Sequence, residues 1–135
     1  MKVVYICSPC RGMPPWNNRH LNLAAADHLM KIVAEFGHVP IAPHVFYQFI
    51  FDEEKDPEMR EAGLRAALRL MCACDCLICH PLMAHGMRVE LEIADRIGLQ
   101  HIMLPHFRGI EISILPKEDY WEDTWRKIIH EFLGR

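Results

Sequence analysis

The sequence has no apolar run long enough to cross a membrane, and this absence sets a first limit on function. A membrane-spanning helix needs about 20 consecutive apolar residues, whereas the apolar run VVYIC at residues 3–7 stops at Ser8 and Pro9. Because the same run is too short and too quickly broken, the N terminus does not resemble a signal peptide. We therefore expect a cytoplasmic protein that has no membrane partner.

The chain also lacks an excess of positive charge, sequence repeats and low-complexity segments. It has 15 Lys and Arg against 18 Asp and Glu, which gives a net charge of -3. This balance does not favour binding to a polyanion, so nucleic acid is not an expected partner. Since the 135 residues are 51% hydrophobic and contain no linker, the sequence predicts one domain over residues 1–135.

Apolar patterning predicts an α/β fold in which strands and helices alternate. Short β-branched runs indicate buried strands, and apolar residues three or four positions apart indicate helices. The predicted strands are 2–7, 38–43, 76–80, 100–104 and 110–115, and the predicted helices are 17–36, 57–72, 86–97 and 116–133. An aromatic loop is predicted over 44–54. This order is typical of a flavodoxin-like or Rossmann-like three-layer sandwich with a mostly parallel sheet of about five strands.

Cysteine is concentrated in the segment CACDCLICH at residues 72–80. In a reducing compartment, such residues are free thiols, metal ligands or catalytic groups more often than disulfides. If this segment ends in a strand, Cys76 and Cys79 face opposite sides of the sheet and the thiols do not converge. Core filling is the favoured interpretation. A zinc or redox site is the alternative, because Cys7 and Cys10 also have Cys-x-x-Cys spacing.

The least core-like residues follow the predicted strands. Open parallel sheets bind ligands at the carboxyl ends of their strands, and the segment after the first strand contains Ser8, Pro9, Cys10, Arg11 and Gly12. An arginine beside a glycine suits phosphate, because guanidinium pairs with phosphate and glycine leaves backbone N–H groups accessible. A histidine after the second strand, His44, could donate to a sugar hydroxyl or a phosphate, or could be an ordinary loop histidine.

Glu90 is the candidate reactive carboxylate. Gly86 allows a tight turn into a helix, and we expect Glu90 in the first turn of that helix. A helix N terminus stabilises negative charge by a few tenths to about 1 kcal/mol, so Glu90 is expected to stay ionised, as a nucleophile requires. The same pattern could be ordinary helix design. Asp75 opens the third strand, where it could orient a ligand or only cap the preceding turn.

Taken together, several segments resemble the nucleoside 2-deoxyribosyltransferase-like proteins, and within them a small bacterial and phage branch. They occur in the family's order over about residues 3–104 and read VYICSPCRG, GHVPIAPHVF, FDEEKDPEMREAGL, CD and GMRVELEIADRIG. The deoxynucleoside 5′-monophosphate N-glycosidases are similar as well. The resemblance supports the flavodoxin-like fold and implies a nucleoside or nucleotide substrate.

The resemblance implies that Glu90 attacks the anomeric carbon of the sugar and displaces the base. A second base or water then resolves the glycosyl-enzyme intermediate, which gives transfer or hydrolysis. Asp75, which could orient the base or the sugar, is the second candidate catalytic residue, and no cofactor or metal is expected. The implied substrate-binding residues are Ser8, Pro9, Cys10, Arg11, Gly12, His44, Ala84, His85, Gly86 and Met87.

Two departures from the family pattern define an alternative function. Ala84 stands where the family usually has serine or aspartate, and Cys10 stands where this branch usually has tyrosine. The alternative is a nucleotide-binding or sensing module with weakened catalysis. Because relatives assemble as dimers or larger oligomers, a homo-oligomer is expected. Trp121, Trp125 and Phe132 could supply its interface or could belong to the core.

Overall fold

The structure, a computed structural model, describes residues 1–9, 19–47, 57–82, 85–106 and 119–134. Strands and helices alternate along the chain, as the apolar pattern predicts. The elements in chain order are β1 (Val3–Cys7), α1 (Arg19–Glu35), β2 (Val39–Ile41), α2 (Pro43–Tyr47), α3 (Pro57–Met71), β3 (Cys76–Cys79), α4 (His85–Arg96), β4 (Gln100–Met103) and α5 (Asp119–Leu133).

The described strands form one parallel sheet in the order β2-β1-β3-β4. The strand β1 lies between β2 and β3, and its Cys7 is in register with Cys79. The predicted α/β class and parallel sheet are therefore confirmed, with four strands in the described part of the chain instead of about five. The predicted strand over 110–115 lies outside the described residues. The order matches that of flavodoxin-like sheets, which bind ligands at the carboxyl ends of their strands.

Helices cover both faces of the sheet, so the fold has three layers. One face packs residues of β1 and β3 against α1 and α5, and the other packs them against α3 and α4. Cys76 and Ile78 lie in the first cluster, whereas Leu77 and Cys79 lie in the second. This alternation, which a pleated strand requires, confirms that the thiols of Cys76 and Cys79 face opposite sides.

One predicted boundary was wrong for an identifiable reason. The segment 44–54 was expected to be a loop, but Pro43–Tyr47 forms the short helix α2. Proline's fixed φ suits the first position of a helix, and the N–H of Val45 donates to the carbonyl oxygen of Ala42 at 3.0 Å. The helix α4 begins at His85, one residue before the predicted start.

The helices α1 and α4 each end two residues before a glycine. Gly37 and Gly98 have φ values of 84° and 72°, in the left-handed region that favours glycine. No helix in the described part of the chain is long and apolar enough to cross a membrane.

Candidate active site

Glu90 lies on α4 with its carboxyl group packed toward β1. The residue as a whole keeps some exposure, but its Oε2 atom is buried and has no hydrogen-bond partner among the described residues. Burial raises the pKa of Glu90 to about 7, because a carboxylate loses hydration when it leaves water. Both protonation states of Glu90 are therefore populated at neutral pH.

The expectation that a helix N terminus keeps Glu90 fully ionised was wrong. Because α4 begins at His85, its first turn contains no acidic residue, and Glu90 falls in the second turn. The stabilising effect of the helix dipole on a charge is largely confined to the first turn. Desolvation is thus the larger influence on Glu90, and it favours the neutral acid.

Tyr5 is a site residue that the sequence analysis did not single out. It lies in the middle of β1, is 1% exposed, and its hydroxyl is close enough to the Glu90 carboxyl group for each group to shift the pKa of the other. Burial and the neighbouring carboxylate raise the pKa of Tyr5 well above its usual 10, so its hydroxyl stays protonated and donates. The available signal was a tyrosine in an otherwise aliphatic strand, since a buried tyrosine hydroxyl needs a partner.

Ser8 and His44 are brought together at the carboxyl edge of the sheet. Ser8 follows β1 directly and His44 lies in α2 after β2, and Ser8 Oγ and His44 Nε2 are 2.9 Å apart. Burial lowers the pKa of His44 to about 4, so the imidazole is neutral at pH 7. A hydroxyl and a neutral imidazole each can donate and accept, so the pair is polar but uncharged, and Ser8 is buried at the end of β1.

Two buried thiols line the same face of the sheet as Tyr5. Cys7 and Cys79 are both 0% exposed and belong to one cluster with Met87 of α4. A hydrogen bond with Cys79, burial and the charge of Glu90 raise the pKa of Cys7 well above its usual range. Protonated, buried thiols are poor nucleophiles and poor metal ligands. This supports the interpretation of these cysteines as core filling.

The other described cysteines are also free thiols. Burial raises the pKa of Cys74 to about 11 and also raises that of Cys76. Within the described ranges, no group of three or more His, Cys, Asp or Glu side chains is arranged to hold a metal ion.

Asp75 lies at the opposite edge of the sheet from Ser8. It precedes β3, and its Oδ2 accepts a hydrogen bond of 2.7 Å from the N–H of Val3. The N–H of Asp75 in turn donates to the carbonyl oxygen of Val3 at 2.8 Å. The structure therefore joins Asp75 to the beginning of β1 and does not bring it together with Ser8 and His44.

The remaining predicted site residues divide into two groups. Pro9 is buried directly after Ser8, Gly86 is the second residue of α4, and the carbonyl oxygen of Met87 is 4.0 Å from Cys7 Sγ. Of His85, the structure describes only its place as the first residue of α4. The predictions outside the described residues concern Cys10, Arg11, Gly12 and Ala84.

Comparison with known proteins places most of the chain in one family. The sequence profile of a domain of unknown function (DUF7768) matches residues 2–104, which contain every element from β1 to β4. No protein of curated function matches the chain.

Proposed function

This chain belongs to the family of the domain of unknown function DUF7768, and we propose that it is an enzyme. The proposed reaction is cleavage or transfer at the N-glycosidic bond of a nucleoside or nucleoside 5′-monophosphate. Glu90 is the proposed nucleophile. The proposal also includes assembly as a homo-oligomer in the cytoplasm. It draws on the likeness of residues 3–104 to nucleoside 2-deoxyribosyltransferase-like proteins.

The observation that carries the proposal is the buried Oε2 atom of Glu90, which has no partner among the described residues. Leaving a buried acceptor unsatisfied costs about 1 to 3 kcal/mol, so such an atom calls for an explanation beyond packing. A nucleophilic carboxylate oxygen must approach carbon, and a strong hydrogen bond to that oxygen would lower its nucleophilicity. An Oε2 atom that accepts no hydrogen bond from the described residues supports its proposed role as the attacking atom.

The proposed reaction follows the retaining logic of glycoside cleavage. Ionised Glu90 attacks the anomeric carbon, the bond from that carbon to the base nitrogen breaks, and the base leaves with the bonding electrons and takes up a proton from water. An acid with a pKa of about 7 is half ionised at neutral pH, and its anion is a stronger nucleophile than that of an ordinary glutamate. The Tyr5 hydroxyl donates to the carboxylate and holds its orientation.

The neutral pair of Ser8 and His44 is the proposed contact for the polar part of the substrate. Its position at the carboxyl edge, directly after β1, is where parallel sheets bind ligands. Hydroxyl and imidazole groups can each donate and accept, which suits the hydroxyl groups of a sugar. Asp75 has no part in this proposal, because its carboxylate is used at the other edge of the sheet.

The test is release of free base from a panel of deoxynucleosides, nucleosides and their 5′-monophosphates, measured by chromatography. Wild-type protein is compared with Glu90→Gln, which keeps the size of the side chain and cannot attack carbon. We expect the substitution to reduce base release by roughly a thousandfold or more. No release from the wild type beyond that of Glu90→Gln would overturn the enzymatic proposal.

A thermal-shift screen on the same panel distinguishes the alternative function. Ala84 in place of a hydrogen-bonding residue favours a binding module with weakened catalysis. Stabilisation by a nucleotide without base release supports that module. Chemical trapping of a sugar ester on Glu90, detected by mass spectrometry of its peptide, supports the enzyme.

A further inference from the structure

The C-terminal helix α5 lies beyond the residues that match the family, yet it contacts the carboxyl edge of the sheet. Its Trp125 is 0% exposed, and the Nε1–H group donates to the carbonyl oxygen of Pro105 at 3.1 Å. The same indole ring meets the ring of His80 edge-on, with centroids 5.5 Å apart and planes at 83°. Trp125 therefore touches the chain where it leaves β4 and where it leaves β3.

His80 connects the Trp125 contact to the segment that precedes α4. It follows β3 directly and is 0% exposed, and its N–H donates to the carbonyl oxygen of Cys7 at 2.8 Å. Its ring atom Nδ1 accepts a hydrogen bond of 3.1 Å from the N–H of Leu82. The orientation of the His80 ring thus fixes the backbone at Leu82, three residues before α4 begins at His85.

The position of α4 matters for the site because α4 carries Glu90. The helix has a contact with β1 one turn before that residue, where the carbonyl oxygen of Met87 lies 4.0 Å from Cys7 Sγ. Because the chain that leaves His80 leads into α4, we expect a change at His80 to alter how the first turn of α4 contacts β1 and, with it, the distance from Glu90 to Tyr5.

We propose that Trp125 is a positioning residue for the site of Glu90. It acts through His80 and Pro105, which hold the segments 80–82 and 104–106 at the carboxyl edge of the sheet. The catalytic part of this inference rests on the proposed function. The structural part, that Trp125 controls the entry to α4, stands apart from any activity.

Amide hydrogen exchange tests the positioning role in the full chain. Trp125→Phe replaces the indole by a smaller ring, so it removes the Nε1–H group that bonds to Pro105 and reduces the ring contact with His80. Ile129→Val is the matched control, because Ile129 is one turn further along α5, is also 0% exposed and belongs to the same cluster. The loss of global stability in each variant is measured by urea unfolding and subtracted.

We expect amides in residues 80–90 and 104–106 to exchange about two- to tenfold faster in Trp125→Phe, which is the effect of losing one hydrogen bond of ordinary strength. The rest of the sheet should follow global stability alone. In Ile129→Val these two segments should show no excess. Equal excess in both variants, or none in either, overturns the positioning role.

A pair of substitutions at His80 tests the second link. Asn can place an amide oxygen near the position of Nδ1 and accept the Leu82 N–H, whereas Leu cannot. We expect His80→Asn to keep the wild-type exchange rates of residues 82–90 and His80→Leu to raise them. Indistinguishable exchange in the two variants contradicts the proposed route through His80.

Activity separates this inference from the proposed function. If the wild type releases base, Trp125→Phe should lower kcat more than it raises KM, because Glu90 is displaced while Ser8 and His44 keep their hydrogen bond. A larger change in KM than in kcat contradicts a role in positioning Glu90. If the wild type releases no base, the proposed function fails and the exchange experiment still decides the positioning role.

Discussion

Glu90 loses hydration when α4 packs against β1, and this loss raises its pKa from 4.5 to about 7. The residue also illustrates how one hydrogen bond moderates desolvation, since the Tyr5 hydroxyl favours the ionised form and lowers the pKa from what burial alone would give. Because the folded state raises the pKa of this carboxyl group, the free energy of unfolding should depend measurably on pH.

Stability should fall as pH rises through the range in which only the folded protein keeps the Glu90 proton. A folded pKa of about 7 against 4.5 for the ordinary group corresponds to roughly 3 kcal/mol, present below pH 4.5 and lost as pH rises to about 7. Glu90→Gln lacks this titration. The variant should therefore gain stability relative to wild type with rising pH, as measured by urea unfolding between about pH 5 and 8. Parallel curves for the two proteins would contradict the raised pKa.

Removing the Tyr5 hydroxyl should move the titration of Glu90 to higher pH. Tyr5→Phe keeps the buried ring and deletes the donor, so the Glu90 pKa should rise by about one unit, the size expected for a hydrogen bond to a carboxylate. The measurement is the pH midpoint of kcat/KM for base release, or a carboxyl titration followed by NMR with Glu90→Gln as the reference. A midpoint that stays or falls would show that the hydroxyl does not stabilise the ionised form.

At the scale of elements, different polar groups lie at the two ends of the parallel strands. At the amino edge, Asp75 and Val3 exchange two hydrogen bonds that hold the beginnings of β1 and β3 in register. At the carboxyl edge, the end of β1 leads to the polar pair of Ser8 and His44. One end of the strands thus carries hydrogen bonds that join β1 to β3, and the other carries a hydrogen-bonded pair of polar side chains.

Substitutions at Asp75 should change stability without changing catalysis. Asp75→Ala leaves the Val3 N–H without its acceptor and should cost about 1 kcal/mol, whereas Asp75→Asn keeps an acceptor oxygen and most of the stability. Urea unfolding measures the cost, and base release should be similar in both variants. If Asp75→Asn keeps its stability but loses activity, the predicted catalytic role of Asp75 is correct.

For the whole molecule, the matched family segment does not contain the complete core. Trp125, Ile129 and Leu133 of α5 are each 0% exposed and pack with α1 against one face of the sheet. Of the three residues for which core and interface were alternatives, Trp125 belongs to the core. Phe132 is partly buried against the same cluster, and Trp121 is partly buried outside it. A core with three large side chains removed would leave that face of the sheet open to water.

Deletion of residues 119–135 should therefore abolish cooperative folding. Losing one fully buried large apolar side chain costs about 2 to 5 kcal/mol, and three such losses are comparable to the whole stability of a domain. Thermal unfolding followed by circular dichroism should show no transition for this deletion. Deletion of 134–135 alone, beyond the end of α5, should leave the melting temperature nearly unchanged. A cooperative transition at the wild-type temperature in the longer deletion would show that α5 is an appendage.

Local sequence patterns were sufficient for most of the fold. The alternation of strand and helix, the glycines that end α1 and α4, and the opposite facing of Cys76 and Cys79 all follow from periods of about two and 3.6 residues and from positive φ. These features depend on neighbours in the chain. The short helix α2 was missed because an aromatic segment of that length has no clear period.

The candidate site depended on the tertiary structure. The sequence by itself determined which residues follow the strands and that Glu90 lies near the start of a helix. Only the tertiary structure decided that Tyr5 faces Glu90, that burial raises the pKa of that carboxyl group, and that Asp75 serves the other edge of the sheet. The physical reason is that desolvation and hydrogen bonding between elements arise from residues far apart in the chain, and a local period carries no information about which of them meet.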